Sequence, residues 1–485
     1  MGSLSDQITD TFEASSLPTL IDYVGIRCLS PAFDPAWAES GAIEHAITLL
    51  AEWASVREIA GLVTTVHRIK GRTPLLFIDI PPFNGGQGTA LIYGHLDKQP
   101  PLGEWSLGLD PFTAVRRGDV LFGRGTCDDG YAIFSALGAI EAMEATGVSH
   151  GRCVVLIEAS EESGSPDLDA HLDELAPLIA ETDLVVCLDS GALDYERLWV
   201  TTSLRGNIVL TISAEVLDHG VHSGEASGVV PSSFRVLRQL LDRIEDSRTG
   251  EMTLPLFKVA PPDHLLAAAA SLAVELGDPL AHHFPAVEGL ELMGRDGADR
   301  LIRQSWSAAL SVIGVDALPP AAEAGNVLRP STSLKLSIRT PPSVDVHLAQ
   351  AMLVEILEAS PPQGARITVT PETPAQGWVA PTPHRWLADA LDAASFEGFG
   401  QPPGLLGEGG SIPFLASLGH RFPDAEFVAT GVLGPGSHAH GPNESLHIPA
   451  TIGVTTALAT ILGHHADQPT TSSSISTIRP TQKKP

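Results

Sequence analysis

A short apolar run, residues 89–93, leads into Gly94-His95-Leu96-Asp97. Such a run reads as a buried strand, and side chains two apart on an extended segment share a face. An imidazole and a carboxylate on one face can serve a metal ion together, one as ligand and one as the group that orients it. The pattern recurs after Val120-Leu121-Phe122, where a G-R-G turn leads to the paired Asp128 and Asp129. An apolar run at 153–157 opens onto Glu158, then Glu161 and Glu162, and a run at 184–188 ends at Asp189. Two late stretches add Gly407-Glu408-Gly409-Gly410-Ser411 and, between Gly434 and Glu444, the histidines His438 and His440. Imidazole and carboxylate suit Zn²⁺, Mn²⁺ or Co²⁺, and the thiolates of a structural zinc site are missing. Two metals a few Å apart need a bridging group, for which one of Asp128 and Asp129 is the natural candidate. The adjacent Glu161 and Glu162 can divide their work, one carboxylate on metal and the other free as general base.

The elements that must position these groups alternate. Residues 73–80, 89–93, 153–157 and 184–188 read as strands; 43–53, 56–63, 132–145 and 168–179 read as helices. Alternation predicts an α/β catalytic domain with a mostly parallel sheet flanked by helices, and ligands gather beyond the carboxyl ends of such strands. Near residue 201 the pattern changes. Residues 207–216 and 333–338 alternate apolar and polar, with helical stretches at 232–244 and 344–359 and a short strand at 367–369. The first pattern resumes at Pro383. We therefore expect a catalytic domain in two parts, 1–201 and 379–465, interrupted by an inserted α+β domain at 202–378. The Ser/Thr/Pro-rich tail, 466–485, is expected to be disordered.

Composition narrows the function classes. The 485 residues carry a formal net charge of −29, which disfavours nucleic acid and anionic membrane as partners. The four cysteines are scattered without a CxxC pair, as expected of free thiols in a reducing, cytoplasmic compartment. No signal peptide and no membrane span are expected.

Taken together and in this order, the stretches Tyr93 to Pro100, Gly123 to Asp129, Glu161 to Ser165, His222-Ser223-Gly224, Glu408 to Pro413 and Ala439 to Glu444 resemble the M20 metallopeptidases, and within them the carnosine dipeptidase-like group. The resemblance implies two divalent metal ions, Zn²⁺ foremost with Mn²⁺ or Co²⁺ as alternatives. His95, Asp128 and Asp189 would hold one; Asp128 would bridge to the other, held also by Glu162 and His440. A metal-bridging water would be the nucleophile, Glu161 the general base and Asp97 the residue that orients His95. The inserted domain would act as lid and dimerisation domain of a homodimer, with His222 reaching the partner subunit's site. Arg339 would clamp a substrate carboxylate, and Asn326, Gly410 and Ser411 would add substrate contacts.

The implied activity is amide-bond hydrolysis in a dipeptide or short peptide. The same machinery would also serve an N-acyl amino acid deacylase or a specialised amidohydrolase; a non-catalytic peptide-binding member is a remote third reading. Three positions depart from the family pattern. Gly130 stands where D-D-K-G has lysine, Gly407 where an arginine precedes E-G-G-S, and Gly220-Val221 replaces the D-L of D-L-H-S-G. All lie on the substrate side of the expected site.

Overall fold

The structure is a computed structural model that describes residues 3–468 apart from 282 and 285. The expected disordered tail therefore lies outside the described residues from 469 onward. Two compact units form: Met1–Val200 with Pro381–Gly404 and Ser417–Pro485, and Thr201–Ala380 with Leu405–Ala416.

The first unit is built on a six-stranded sheet in the order Val63–His67, Leu75–Ile80, Arg152–Glu158, Thr89–His95, Leu184–Cys187, Glu426–Ala429. The last four run parallel, and the first two add an antiparallel edge. Every residue of Thr89–His95 is buried. A central parallel strand covered on both faces requires such an unbroken apolar run. The helices Ala42–Ser55, Ala132–Thr146 and Ile448–Ala466 contribute Ile47, Ile133 and Leu458 to one core with Ile92 and Val155 of the sheet. Ala132–Thr146 stops where Gly147 takes the left-handed conformation, φ 79°, which glycine adopts at little cost.

One local expectation fails. Residues 56–63 do not form a helix: the chain leaves Ala42–Ser55, turns through Gly61 at φ 73° and enters the edge strand Val63–His67. Of the apolar residues at 56–63 only Ile59 is buried, and Val56 and Val63 are exposed. The runs at 73–80 and 89–93, successive in sequence, are separated in the sheet by Arg152–Glu158.

The second unit holds a four-stranded antiparallel sheet in the order Ala309–Asp316, Ser331–Thr340, Gly206–Glu215, Arg366–Pro371. Gly206–Glu215 and Ser331–Thr340 alternate buried and half-exposed residues along their whole length. That is the signature of a sheet with one covered face. Leu210, Ile212, Leu336 and Ile338 pack there with Leu237 and Leu353 of the helices Ser233–Leu241 and Val346–Glu358. Among the described residues no helix is long and apolar enough to cross a membrane. All four cysteines are buried and free.

Candidate active site

Four segments of the first unit converge where parallel strands end. His95 closes Thr89–His95, Glu161 and Glu162 follow Arg152–Glu158, Asp189 follows Leu184–Cys187, and Asp128 sits in the turn after Val120–Phe122. His440 arrives from a loop late in the chain, at φ 61°. His95 Nδ1 lies 3.1 Å from the backbone carbonyl of Asp97, which turns Nε2 toward the carboxylates. Nε2 faces Asp128 Oδ1 at 3.1 Å and Asp189 Oδ2 at 3.8 Å. The other Asp128 oxygen lies 3.0 Å from His440 Nε2, and that nitrogen is 3.2 Å from Glu162 Oε2. Two groups of potential ligands result, His95/Asp128/Asp189 and Asp128/Glu162/His440, each with its ligand atoms within 4.8 Å of one another.

Other side chains hold this arrangement. The Asp97 carboxylate accepts the backbone N–H of Glu161 at 3.1 Å and of Glu162 at 3.0 Å. One buried side chain thus fixes both the His95 loop and the Glu pair. Gln99 donates to Glu162 Oε2 at 2.7 Å. Asp129 accepts the His95 backbone N–H at 3.1 Å and belongs to neither ligand group. Glu161 also stands outside both groups, with Oε2 4.0 Å from His95 Nε2.

The electrostatics are those of a cation site. Burial, and then the charge of Asp128, pushes Asp189 up to about 7. Burial also raises Glu161 and Glu162. His440 is driven up to about 11: burial opposes its charge, but its hydrogen bonds to Asp128 and Glu162 prevail. Asp128 falls below the usual carboxylate range because the two imidazoles outweigh its burial. Crowded buried carboxylates are costly without counter-charge. A donor set of imidazole nitrogens and carboxylate oxygens fits divalent Zn²⁺, Mn²⁺ or Co²⁺. The nearby thiol is turned away, with Cys127 Sγ 3.6 Å from Glu444 Oε1.

Residues 91–464 match peptidase family M20/M25/M40. The chain belongs to that family. It is 26% identical over 420 residues to the cysteinylglycine-S-conjugate dipeptidase of Corynebacterium striatum, covering 83% of this chain and 87% of the relative. The Cys-Gly metallodipeptidase DUG1 of Saccharomyces cerevisiae is 27% identical over 401 residues, covering 79% and 80%. Among solved structures, a di-peptidase from Saccharomyces cerevisiae superposes with a TM-score of 0.77 at 21% identity, over 96% of this chain and 98% of that one. Human carnosine dipeptidase 1 also gives 0.77, at 19% identity over 96% and 100%. The protein is thus a metallopeptidase with the M20 fold.

Two of the departures from the M20 pattern acquire a physical reason. A Cβ on Gly130 would stand 2.3 Å from the Gly125 carbonyl oxygen and 2.4 Å from the Tyr23 ring, so no lysine fits there. Lys98 is fully buried, lies 3.9 Å over the Tyr23 ring and donates to the carbonyls of Tyr23 (2.8 Å) and Ile26 (2.9 Å). At Gly407 a Cβ would meet Ser203 Oγ and Ser305 Cβ, both at 2.6 Å.

The remaining M20-type candidates lie in the second unit. Arg339 Nη1 donates to Ser411 Oγ at 2.9 Å, and that hydroxyl donates to the Arg205 carbonyl at 2.7 Å. Gly410 is exposed beside Ser411. His222 is exposed on a two-residue strand whose partner is Val327–Leu328, and Ser223 N–H donates to the Asn326 carbonyl at 2.9 Å. Sequence reasoning passed over Arg124, Glu444, Lys98 and Arg205. A lone charge in a glycine-rich turn carries no sign that it will be buried.

Proposed function

We propose that this chain is a di-metal dipeptidase that cleaves the amide bond of dipeptides or short peptides. The observation that carries the reading is the shared carboxylate: Asp128 faces His95 with one oxygen and His440 with the other, while Glu161 stays outside both ligand groups. His95, Asp128 and Asp189 would hold one ion, and Asp128, Glu162 and His440 the second; Zn²⁺ is our first choice. When bound, two divalent ions polarise the scissile carbonyl and acidify the attacking water. Glu161 takes the proton of that water and returns it to the leaving amine. Asp97 keeps the His95 ring in the tautomer that presents Nε2 and holds the Glu161 backbone in register.

In the same reading Arg339, braced by Ser411, receives the substrate carboxylate, with Gly410 and Asn326 adding contacts and His222 serving the partner subunit of a homodimer. The edge strand Ala309–Asp316 supports a dimer, because it exposes Val312, Ile313 and Val315 and an uncovered apolar edge invites pairing. Free, buried cysteines are compatible with a cytoplasmic setting.

The test is a hydrolysis panel with metal-loaded protein, its metal content measured by elemental analysis. Dipeptides turned over faster than N-acyl amino acids support the dipeptidase. The reverse order favours the deacylase reading, in which Arg339 still binds a free carboxylate. Turnover of neither overturns both.

A further inference from the structure

The second unit carries an open cavity of about 370 Å³ that none of the roles above uses. Leu280, Phe284 and Met293 line it with carbon, and Ala309 and Arg205 form its wall toward the carboxylate clamp. Ala309 is the register partner of Arg339 across the antiparallel pair Ala309–Asp316 and Ser331–Thr340. Side chains directly opposite in such a pair stand about 5 Å apart. Arg205 is tied to the same clamp through the Ser411 hydroxyl. An amino acid carries its carboxylate and its side chain on one Cα. A residue whose carboxylate sits at Arg339 would therefore approach the sheet on the face that Ala309, a lining residue of this cavity, shares with Arg339.

The charge of the wall narrows what fits. Arg205 gives its hydrogen bonds to carbonyl oxygens, those of Gly409 (3.3 Å), Arg303 (3.4 Å) and Ser307 (3.0 Å). Arg300 is already paired with Asp278, and Arg303 with Asp299 at 2.9 Å. Three guanidiniums, Arg205, Arg300 and Arg303, thus line the wall and no carboxylate does, Asp278 and Asp299 meeting two of these charges from outside the lining. A cationic side chain would be repelled. A carboxylate would have to leave water for a guanidinium that carbonyls already occupy. An uncharged apolar side chain loses nothing and gains burial.

We propose that this cavity is a specificity pocket for the C-terminal residue of the substrate, and that it selects large uncharged side chains such as leucine, methionine and phenylalanine over glycine and over lysine or arginine. The inference rests on the dipeptidase reading above and adds its substrate class.

The experiment compares kcat/KM for Ala-Gly, Ala-Leu, Ala-Phe, Ala-Glu and Ala-Lys on the metal-loaded enzyme. Ala-Leu and Ala-Phe are expected to exceed Ala-Gly by roughly 10- to 100-fold, the usual yield of filling an apolar pocket, with Ala-Lys lowest. Met293 is half-exposed, so Met293→Glu can place a carboxylate on the rim with little risk to folding. It should lower the Ala-Phe to Ala-Gly ratio about tenfold and raise Ala-Lys relative to both. A best substrate of Ala-Gly or Ala-Glu overturns the proposal, as does a ratio that Met293→Glu leaves unmoved. If no dipeptide is cleaved, the dipeptidase reading has failed on its own. Calorimetric binding of free phenylalanine against free glycine then decides the cavity: tighter phenylalanine supports it, and equal or absent binding refutes it.

Discussion

Arg124 and Glu444, 320 residues apart, form an ion pair of 2.6 Å with side chains 1% and 0% exposed. The pair joins three loops of the candidate site. Arg124 also donates to the carbonyls of Gly441 (2.8 Å), next to His440, and Pro100 (3.2 Å), beyond Asp97. Glu444 accepts the N–H of Gly125 (2.9 Å) and of Cys127 (3.3 Å), next to Asp128. Burial and the Asp128 charge push Glu444 up to about 7, and Arg124 is the counter-charge that opposes them.

Glu444→Gln should therefore strand a buried guanidinium and lower stability by about 3–5 kcal/mol, read by denaturant unfolding. Metal content should fall with it, because the loops that carry Asp128 and His440 lose their common tie. Arg124→Met combined with Glu444→Leu should recover part of the stability. A single variant as stable as the wild type would show that the pair holds nothing.

Glu161→Gln should reduce kcat by roughly 10²–10⁴ while the protein keeps its full metal complement, since Glu161 lies in neither ligand group. Elemental analysis alongside steady-state kinetics checks both halves. Loss of an ion from this variant would make Glu161 a ligand.

Asp128→Ala should cost both ions, whereas Asp189→Ala and Glu162→Ala should each weaken one, because Asp128 alone is common to the two groups. Metal titration of the three variants separates these outcomes. Equal stoichiometry in all three would contradict the shared carboxylate.

Metal uptake at pH 7 should release protons. In the metal-free site His440 keeps its proton up to about 11 and Asp189 is half-protonated near 7; a ligand must shed its proton to bind. Both values are raised, so acid favours the empty site and affinity should fall steadily from pH 8 to pH 6. Calorimetry in buffers of different ionisation enthalpy measures the release, and a buffer-independent heat would refute it.

Gly130→Ala should destabilise the protein by about 1–3 kcal/mol, as overpacking does, because its Cβ would stand 2.3 Å from the Gly125 carbonyl oxygen. Gly130→Lys should be worse than Gly130→Ala in thermal unfolding. A lysine tolerated at 130 would mean that the Tyr23 ring can move aside.

The sequence by itself determined which groups could act as ligands and in what order they come. Apolar runs ending at His95, before Glu161 and at Asp189 marked strand ends, because a buried parallel strand must be apolar throughout and can turn polar only where it leaves the sheet. The alternation in Gly206–Glu215 and Ser331–Thr340 marked a different kind of sheet for the same reason. Local pattern could not say that Arg152–Glu158 lies between Leu75–Ile80 and Thr89–His95, since sheet order is a matter of packing between distant segments. Nor could it separate Asp128 from Asp129, which are identical in type and adjacent; the backbone aims one at both imidazoles and the other at the His95 amide. Arg124 with Glu444, and Lys98 under Tyr23, were likewise decided only in three dimensions. A charge reads as solvated until the fold closes over it and supplies its partner.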